Sequence, residues 1–567
     1  MISPPSLMDD VDSVQAQIAR NMLESGDWVT AHLDGIKYLE KAPLKYWAMA
    51  ICFKLFGTRD WVARAPVVLA CIALCWLVAR MGWWAFSARA GLYAGLALST
   101  CVGLYLFTRI LIPDVVLTLA IALALWAFLR TLEQDEPRPG LWSFVMAASI
   151  AAAILLKGLI GVVFPVGAGL LYLAVTHQLL LRRTWKRLHP FWGIVVILIL
   201  AAPWHVLATL RNPPYFEFTL QSGPGHYRGF FWFYFINEHL LRFLNRRYPH
   251  DYNTVPRLYF WLLHLIWLFP WSVFLPAALK LNYKPAGRAG RMRLLALCWA
   301  GFILVFFTFS STQEYYSMPS YSAFALLIGS AMTAESKWLR TGQRVLAVIA
   351  AAAAAVIAGI LVAVHRLPAP GDISEALTEH PEAYTLSLGH MGDLTLHSFA
   401  YLRVPLLVAG IAFLFGAIAA WRLAAPKVYI GIAIMMVLFL QATRLAMVVF
   451  DPYLSSRPLA EALLRAPEGK LILDDQYYTF SSVIFYAGVK SALLLNGRVT
   501  NLEYGSNAPG APDVFINDAQ FQQLWSQPQR YYVLAEKPAV PRFYRLVGRA
   551  ALHLVAESGG KYLFTNR

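Results

Sequence analysis

Side chains able to act together in catalysis fall in five separate stretches of this chain, each beside a long apolar run. Asp9, Asp10 and Asp12 precede an amphipathic segment. Carboxylates there can hold or deprotonate a polar acceptor, although the same pattern also caps a helix N-terminus. In "YLEKAPLKYW", Glu40 and Lys41 precede an aromatic run. Lysine is a compact point charge suited to a phosphate, and Glu40 would orient it or bind a metal. "FTRILIPDVVLTL" sets Arg109 and Asp114 at the junction of two apolar segments, with Asp114 in the first turn after Pro113. "NEHLLRF" holds His239, either a solvated histidine or a metal ligand. "STQEYYSMPSY" holds Tyr316, either an interfacial anchor or a hydrogen-bond donor to an anion. Glu40 with His239 forms the candidate site for a divalent metal such as zinc. Nothing in the chain makes a cofactor obligatory.

The elements that must position these residues are membrane helices. Of 567 residues 58% are hydrophobic and 14% charged, against about 25% charged in soluble domains. Apolar segments recur near 62–80, 90–107, 113–130, 142–156, 158–176, 191–210, 258–279, 293–309, 318–334, 345–364, 404–421 and 428–449. These predict a polytopic α-helical protein of about 12 spans. Short loops rich in Lys and Arg alternate with loops carrying acids, His and Tyr. By the positive-inside tendency the basic loops face the cytoplasm, so every candidate residue falls on the outer face. The net charge of +16 therefore orients the protein and meets anionic lipid, and it does not argue for nucleic acid. The five cysteines lie in or beside apolar segments, so no disulfide framework is expected.

Three regions follow from this pattern. Residues 1–60 form an outer first loop with juxtamembrane helices. Val14, Ile18, Met22 and Leu23 recur at helical spacing, Gly26 offers a stop, and the helix is expected to lie on the membrane. Residues 61–450 form the transmembrane domain, with outer loops at 211–257 and 365–403. Residues 451–567 alternate short strands ("KLILDD", "ALLLN", "YYVLAE", "ALHLVAES") with helices, which predicts a small soluble α/β domain. The chain opens directly in an outer loop, so a first transmembrane helix is expected to be missing from this sequence.

The order of these motifs resembles one known family. An acidic first loop leads "IARNMLESGDWVTAHLDGIKYLEKAPLKYW"; then come "RILIPD", "NEHLLRF", "YYSMPSY" and an exported C-terminal domain. This is similar to bacterial GT-C glycosyltransferases of the aminoarabinose-transferase type, related to the protein O-mannosyltransferases. The resemblance spans nearly the whole chain and is closest over residues 9–130. It implies an inverting enzyme of the bacterial inner membrane. Such an enzyme moves a sugar from undecaprenyl phosphate to a lipid A-like or other envelope acceptor at the periplasmic face. By that resemblance Asp9 or Asp10 is the first-loop acid, with Asp12 a further alternative. Asp114 is the second-loop acid, Lys41 and Tyr316 meet the donor phosphate with Arg109 beside them, and Glu40 and His239 are candidate metal contacts. Lys41–Ala42–Pro43 departs mildly from the family's Lys–Pro–Pro. A lipid-carrier flippase or a protein O-glycosyltransferase remains an alternative. A flippase would gather its polar residues near the bilayer midplane rather than at one rim.

Overall fold

The computed structural model describes residues 3–249, 255–310, 313–378 and 389–567. Parts of the expected outer loops, residues 250–254 and 379–388, lie outside the described residues, as do Ser311 and Thr312.

The chain begins with a helix, α1 (Asp12–Ser25), closed by Gly26 in the left-handed conformation at φ 73°. Glycine is favoured there because it has no Cβ to clash. A tight hairpin follows, with β1 (His32–Leu33) and β2 (Ile36–Lys37) joined through Asp34–Gly35, both at positive φ. It leads into α2 (Leu44–Phe56). Next come α3 (Asp60–Ala85), α4 (Ala88–Ser99), α5 (Val102–Phe107), α6 (Asp114–Leu132), α7 (Pro139–Lys157) and α8 (Ile160–Val175). Glycines let α3 and α4 pack closely: a Cβ on Gly91 would lie 2.4 Å from the Ala79 carbonyl oxygen.

Among the described residues, eight helices are long and apolar enough to cross a membrane, or nine if one bent pair counts as a single span. About twelve were expected. The difference lies in the shorter apolar runs. Segment 90–107 divides into α4 and α5, and 258–279 bends by 98° between Arg257–Trp267 and Trp271–Ala278. Segment 318–334 begins in a 3₁₀ turn, Glu314–Ser320, and leaves an α-helix of only 11 residues, Tyr321–Ala331. Helix α8 has 16 residues; at 1.5 Å per residue it rises about 24 Å, short of a hydrocarbon core of about 30 Å.

The first helix departs from its expected surroundings. Val14, Ile18 and Met22 are buried, but within protein. They join a core cluster that includes Tyr477, Phe480 and Phe485 of the C-terminal region. The apolar face therefore meets α2 and the helix Ser481–Ala487, rather than lying on lipid.

The C-terminal region is a six-stranded mixed sheet. Its strands are β3 (Lys470–Asp474), β4 (Leu493–Leu495), β5 (Phe515–Ile516), β6 (Tyr531–Glu536), β7 (His553–Ser558) and β8 (Lys561–Thr565), in the order β5-β4-β3-β6-β8-β7. The first four are parallel, and β8 and β7 add antiparallel. The helices Arg457–Arg465 and Asp518–Trp525 stand where the sequence places them. Strands β5 and β8 are too short or too close to a Gly–Gly turn to stand out from sequence.

Candidate functional site

Lys41 and Glu40 follow the hairpin and precede α2. The Lys41 ammonium is paired with Glu40 Oε1, and the Tyr38 hydroxyl donates to Glu40 Oε2 at 2.9 Å. Arg242 Nη1 lies 3.9 Å from Glu40 Oε1 and 3.1 Å from Glu238 Oε2. Arg247 Nη1 lies 2.6 Å from Glu238 Oε2. Burial alone would raise the Glu40 carboxyl, but Lys41, Arg247 and Arg242 hold it well below the usual carboxylate range. The result is one connected cluster of cations and carboxylates.

Glu238 and His239 sit in a ten-residue π-helix, Trp232–Leu241. Such widened turns are rare and frequently mark functional sites. His239 reaches across to the turn between α7 and α8. Its Nε2 accepts the Leu159 N–H at 3.2 Å, and its Nδ1 donates to the Tyr234 carbonyl. Gly158 makes room: it sits at φ +69°, and a Cβ there would lie 2.1 Å from His239 Nε2. Burial lowers the His239 pKa, and the neutral ring is the form that can accept at Nε2. Both ring nitrogens are thus engaged, as are both oxygens of Glu40. Among the described residues no group of three or more His, Cys, Asp or Glu side chains could hold a metal ion. Glu40 and His239 as arranged do not fit a metal, and no step is derived through one.

Lys157 ends α7 beside Gly158. Its ammonium donates to Asp114 Oδ1 at 2.6 Å and stands 4.5 Å from the Tyr316 ring centroid. Arg242 Cζ is 5.9 Å from the same ring. Asp114 is 1% exposed, and its Oδ2 has no partner. Lys45, on α2, donates to the Leu111 carbonyl at 2.9 Å and to Gln15 Oε1. Burial, reinforced by the charge of Lys41, pushes the Lys45 ammonium down to about 7.

These groups border a cavity of about 320 Å³. Lys41, Lys157, Glu238, Arg242 and Tyr316 supply its polar wall. Leu156, Ile160, Val163, Phe235, Phe306 and Phe307 supply an apolar one. Leu159, Leu240 and Phe243 at its margin are exposed. A ligand with a charged head and a hydrocarbon tail fits this division. The cations can take up charge on the head, and the aromatic wall can bury the tail.

The structure therefore brings Glu40, Lys41, His239 and Tyr316 to one cavity, with Asp114 joined through Lys157. It does not bring Asp9, Asp10 or Arg109 there. Asp9 accepts from the Ser456 N–H (2.9 Å) and hydroxyl (2.6 Å), the Ser482 N–H (2.7 Å) and Lys561 Nζ (2.9 Å). Asp10 follows it at φ 69°, with its N–H on the Tyr478 carbonyl. Both belong to the junction with the C-terminal sheet. Asp12 pairs with Arg64 and accepts the Leu111 N–H at 2.8 Å. Arg109 is buried against Tyr105, away from the cavity lining. Sequence reasoning passed over Lys157. The available signal was a lysine ending an apolar run, since ionisable groups inside membrane segments mark function.

Residues 40–206 match the family model described as dolichyl-phosphate-mannose-protein mannosyltransferase. The undecaprenyl phosphate-alpha-4-amino-4-deoxy-L-arabinose arabinosyl transferase of Edwardsiella ictaluri is 25% identical over 93% of this chain and 88% of its own length. The chain is thus similar along most of its length to an aminoarabinose transferase, and over residues 40–206 to the protein mannosyltransferases. The Pseudomonas aeruginosa relative of the same description is 29% identical over 58% of this chain and 56% of its own. In fold, the chain is similar to the crystal structure of ArnT from Cupriavidus metallidurans bound to undecaprenyl phosphate. The TM-score is 0.77 and the identity 22%, over 99% of this chain and 94% of that one. The family match begins at Glu40 and takes in Lys41, Asp114 and Lys157, while Glu238, Arg242 and Tyr316 of the cavity lie beyond it.

Proposed function

We propose that the protein is an inverting transferase that moves a sugar from undecaprenyl phosphate to a lipid A-like acceptor at the periplasmic face of a bacterial inner membrane. The observation that carries this reading is the cavity, with clustered cations on one wall and apolar side chains on the other. The π-helix that carries Glu238 and His239 packs on Tyr504 of the C-terminal region, a place at one end of the helices that favours a transferase over a flippase. As the bond from the sugar's anomeric carbon to the phosphate oxygen breaks, negative charge grows on the phosphate. Lys41 and Arg242 would balance that charge, with the Tyr316 ring positioning Arg242 and Lys157. The acceptor oxygen forms the new bond from the opposite face. A hydroxyl acceptor would lose its proton to the unpartnered Oδ2 of Asp114, while a phosphate acceptor is already an anion and needs no base. Asp114 takes the role that the sequence shares among it, Asp9 and Asp10, because the latter two face the C-terminal sheet.

The family description of a protein mannosyltransferase covers residues 40–206. A relative that matches most of the chain is instead described as an aminoarabinose transferase, which favours that sugar. The test is reconstitution of the purified protein with undecaprenyl phosphate-linked 4-amino-4-deoxy-L-arabinose and lipid A, with products read by mass spectrometry. A sugar added to lipid A is the expected result. Movement of the donor between leaflets with no transfer would replace this reading with a flippase. Reporter fusions after Pro249 and Gly469 should both report periplasm.

A further inference from the structure

Arg109 is 2% exposed, and neither Nη1 nor Nη2 has a hydrogen-bond partner. A guanidinium carries five donors and no acceptor, so leaving its terminal nitrogens unanswered in the interior is costly. Its ring neighbour, Tyr105, lies 5.8 Å from Cζ; the Tyr105 hydroxyl is also buried and unpartnered. Two more arginines converge on this place. Arg64 donates to the carbonyls of Pro5 and Ser6 at 2.6 and 2.7 Å, and lies 3.3 Å from Asp12. Arg444 Nε donates to the Pro4 carbonyl at 3.2 Å. Three consecutive carbonyls thus tie Arg64 and Arg444 to one short segment. Asp12, through the Leu111 N–H, ties that segment to the loop that carries Arg109. Burial lowers the proton affinity of Arg109, and the charges of Arg64 and Arg444 lower it further, while Tyr105 and Asp12 oppose them. Asp12 is the carboxylate that touches Arg64, while Asp60 and Asp451 hold Ser3 and Ser6 of the same segment and leave the Arg109 nitrogens unanswered.

We propose that Arg109, Arg444 and the Tyr105 hydroxyl, with the charge of Arg64 behind them, form a binding site for the phosphate monoester of a membrane lipid, separate from the cavity at Lys41. Planar guanidiniums match phosphate oxygens in pairs, and a tyrosine hydroxyl donates a further bond. The lipid character follows from the surroundings. Arg444 is part-exposed on the last long apolar helix, Lys427–Val449, and Leu445 and Val448 beside it are 37% and 36% exposed. An acyl chain would lie along that face. Resting on the transferase reading, this is where the acceptor lipid presents a phosphate while its reacting group reaches the donor.

The test measures lipid retention on the purified full chain by native mass spectrometry. Dioleoyl phosphatidic acid is the probe, against dioleoyl phosphatidylcholine and inorganic phosphate. The wild type should retain phosphatidic acid over phosphatidylcholine, and an equal concentration of inorganic phosphate should not displace it. Arg109→Gln and the more exposed Arg444→Gln should each weaken phosphatidic acid by about tenfold or more, the scale of one lost charged contact. Both should keep undecaprenyl phosphate affinity within about twofold, since neither lines the donor cavity. Unchanged phosphatidic acid retention in both variants overturns the site; displacement by inorganic phosphate overturns its assignment to a lipid. If Arg109→Gln fails to fold, Arg444→Gln decides alone. Retention lost in the variants of a protein that transfers no sugar would leave this site standing and remove the transferase reading. Retention unchanged in a protein that transfers sugar would do the reverse.

Discussion

Lys41 and Arg242 meet on Glu40, so removing either cation leaves the carboxylate with the other. Lys41→Ala should therefore fold normally while its turnover falls by about 10² to 10³, the loss expected when one group that stabilises transition-state charge is removed. Circular dichroism and single-turnover transfer check the two halves of that statement. Lys157 has no such redundancy in its bond to Asp114. Lys157→Met would strand a carboxylate that is 1% exposed, at a cost of about 3–5 kcal/mol. The double variant Lys157→Met, Asp114→Leu should regain much of that stability without regaining activity. Denaturation of the two singles and the double measures the coupling; additive losses would mean that the pair does not interact.

Helices α7 and α8 meet at a turn whose geometry depends on two residues. Gly158→Ala puts a Cβ 2.1 Å from His239 Nε2 at a positive φ, so it should lower stability and disturb the cavity together. A normal melting temperature with normal transfer would show that the turn relaxes freely. His239 gives the same turn a pH dependence. Its folded pKa lies below its unfolded value of about 6.5, so the unfolded state binds the extra proton in the window between them. The stability it contributes is full above about pH 6.5 and declines as the pH falls below that. His239→Gln should flatten this part of the stability profile. Much of this level was legible in sequence. Helix α1 stops at Gly26, and α6 starts with Asp114 in its first turn. The four quoted strands are present, and Glu40, Lys41 and Tyr316 share a site. What was not legible is tertiary. Hydropathy cannot tell an apolar face buried on protein from one on lipid, which is why α1 was placed on the membrane. A carboxylate beside a helix start looks alike whether it pairs with a lysine of the cavity wall, as Asp114 does, or anchors a sheet, as Asp9 does. Lys157 is read only as an isolated charge until Asp114, 43 residues earlier, stands against it.

Across the whole molecule, the C-terminal region grips the helices on two flanks, one at the start of α1 and one at the π-helix beside the cavity. On one flank Lys561 and two serines hold Asp9. On the other, Glu503 accepts from the Tyr248 hydroxyl at 2.7 Å, and Tyr504 stacks on Phe233 at 4.0 Å, inside the π-helix that carries Arg242's neighbours. Tyr504→Ala should therefore raise KM for the polyprenyl donor more than it lowers kcat, because it loosens a wall without touching the reacting bond. Steady-state kinetics against donor concentration separates the two effects. Asp9 and Lys561 stand 552 residues apart along the chain. A ribosome working from one to the other leaves Val14, Ile18 and Met22 without their final partners for nearly the whole of synthesis. Through that interval α2 covers only part of that apolar side, so the remainder settles on the bilayer surface and is later lifted off. Proteolysis of a chain halted at Phe450 should cut within α1, whereas the finished protein should protect it. The membrane would then serve this enzyme as a temporary chaperone for its own first helix.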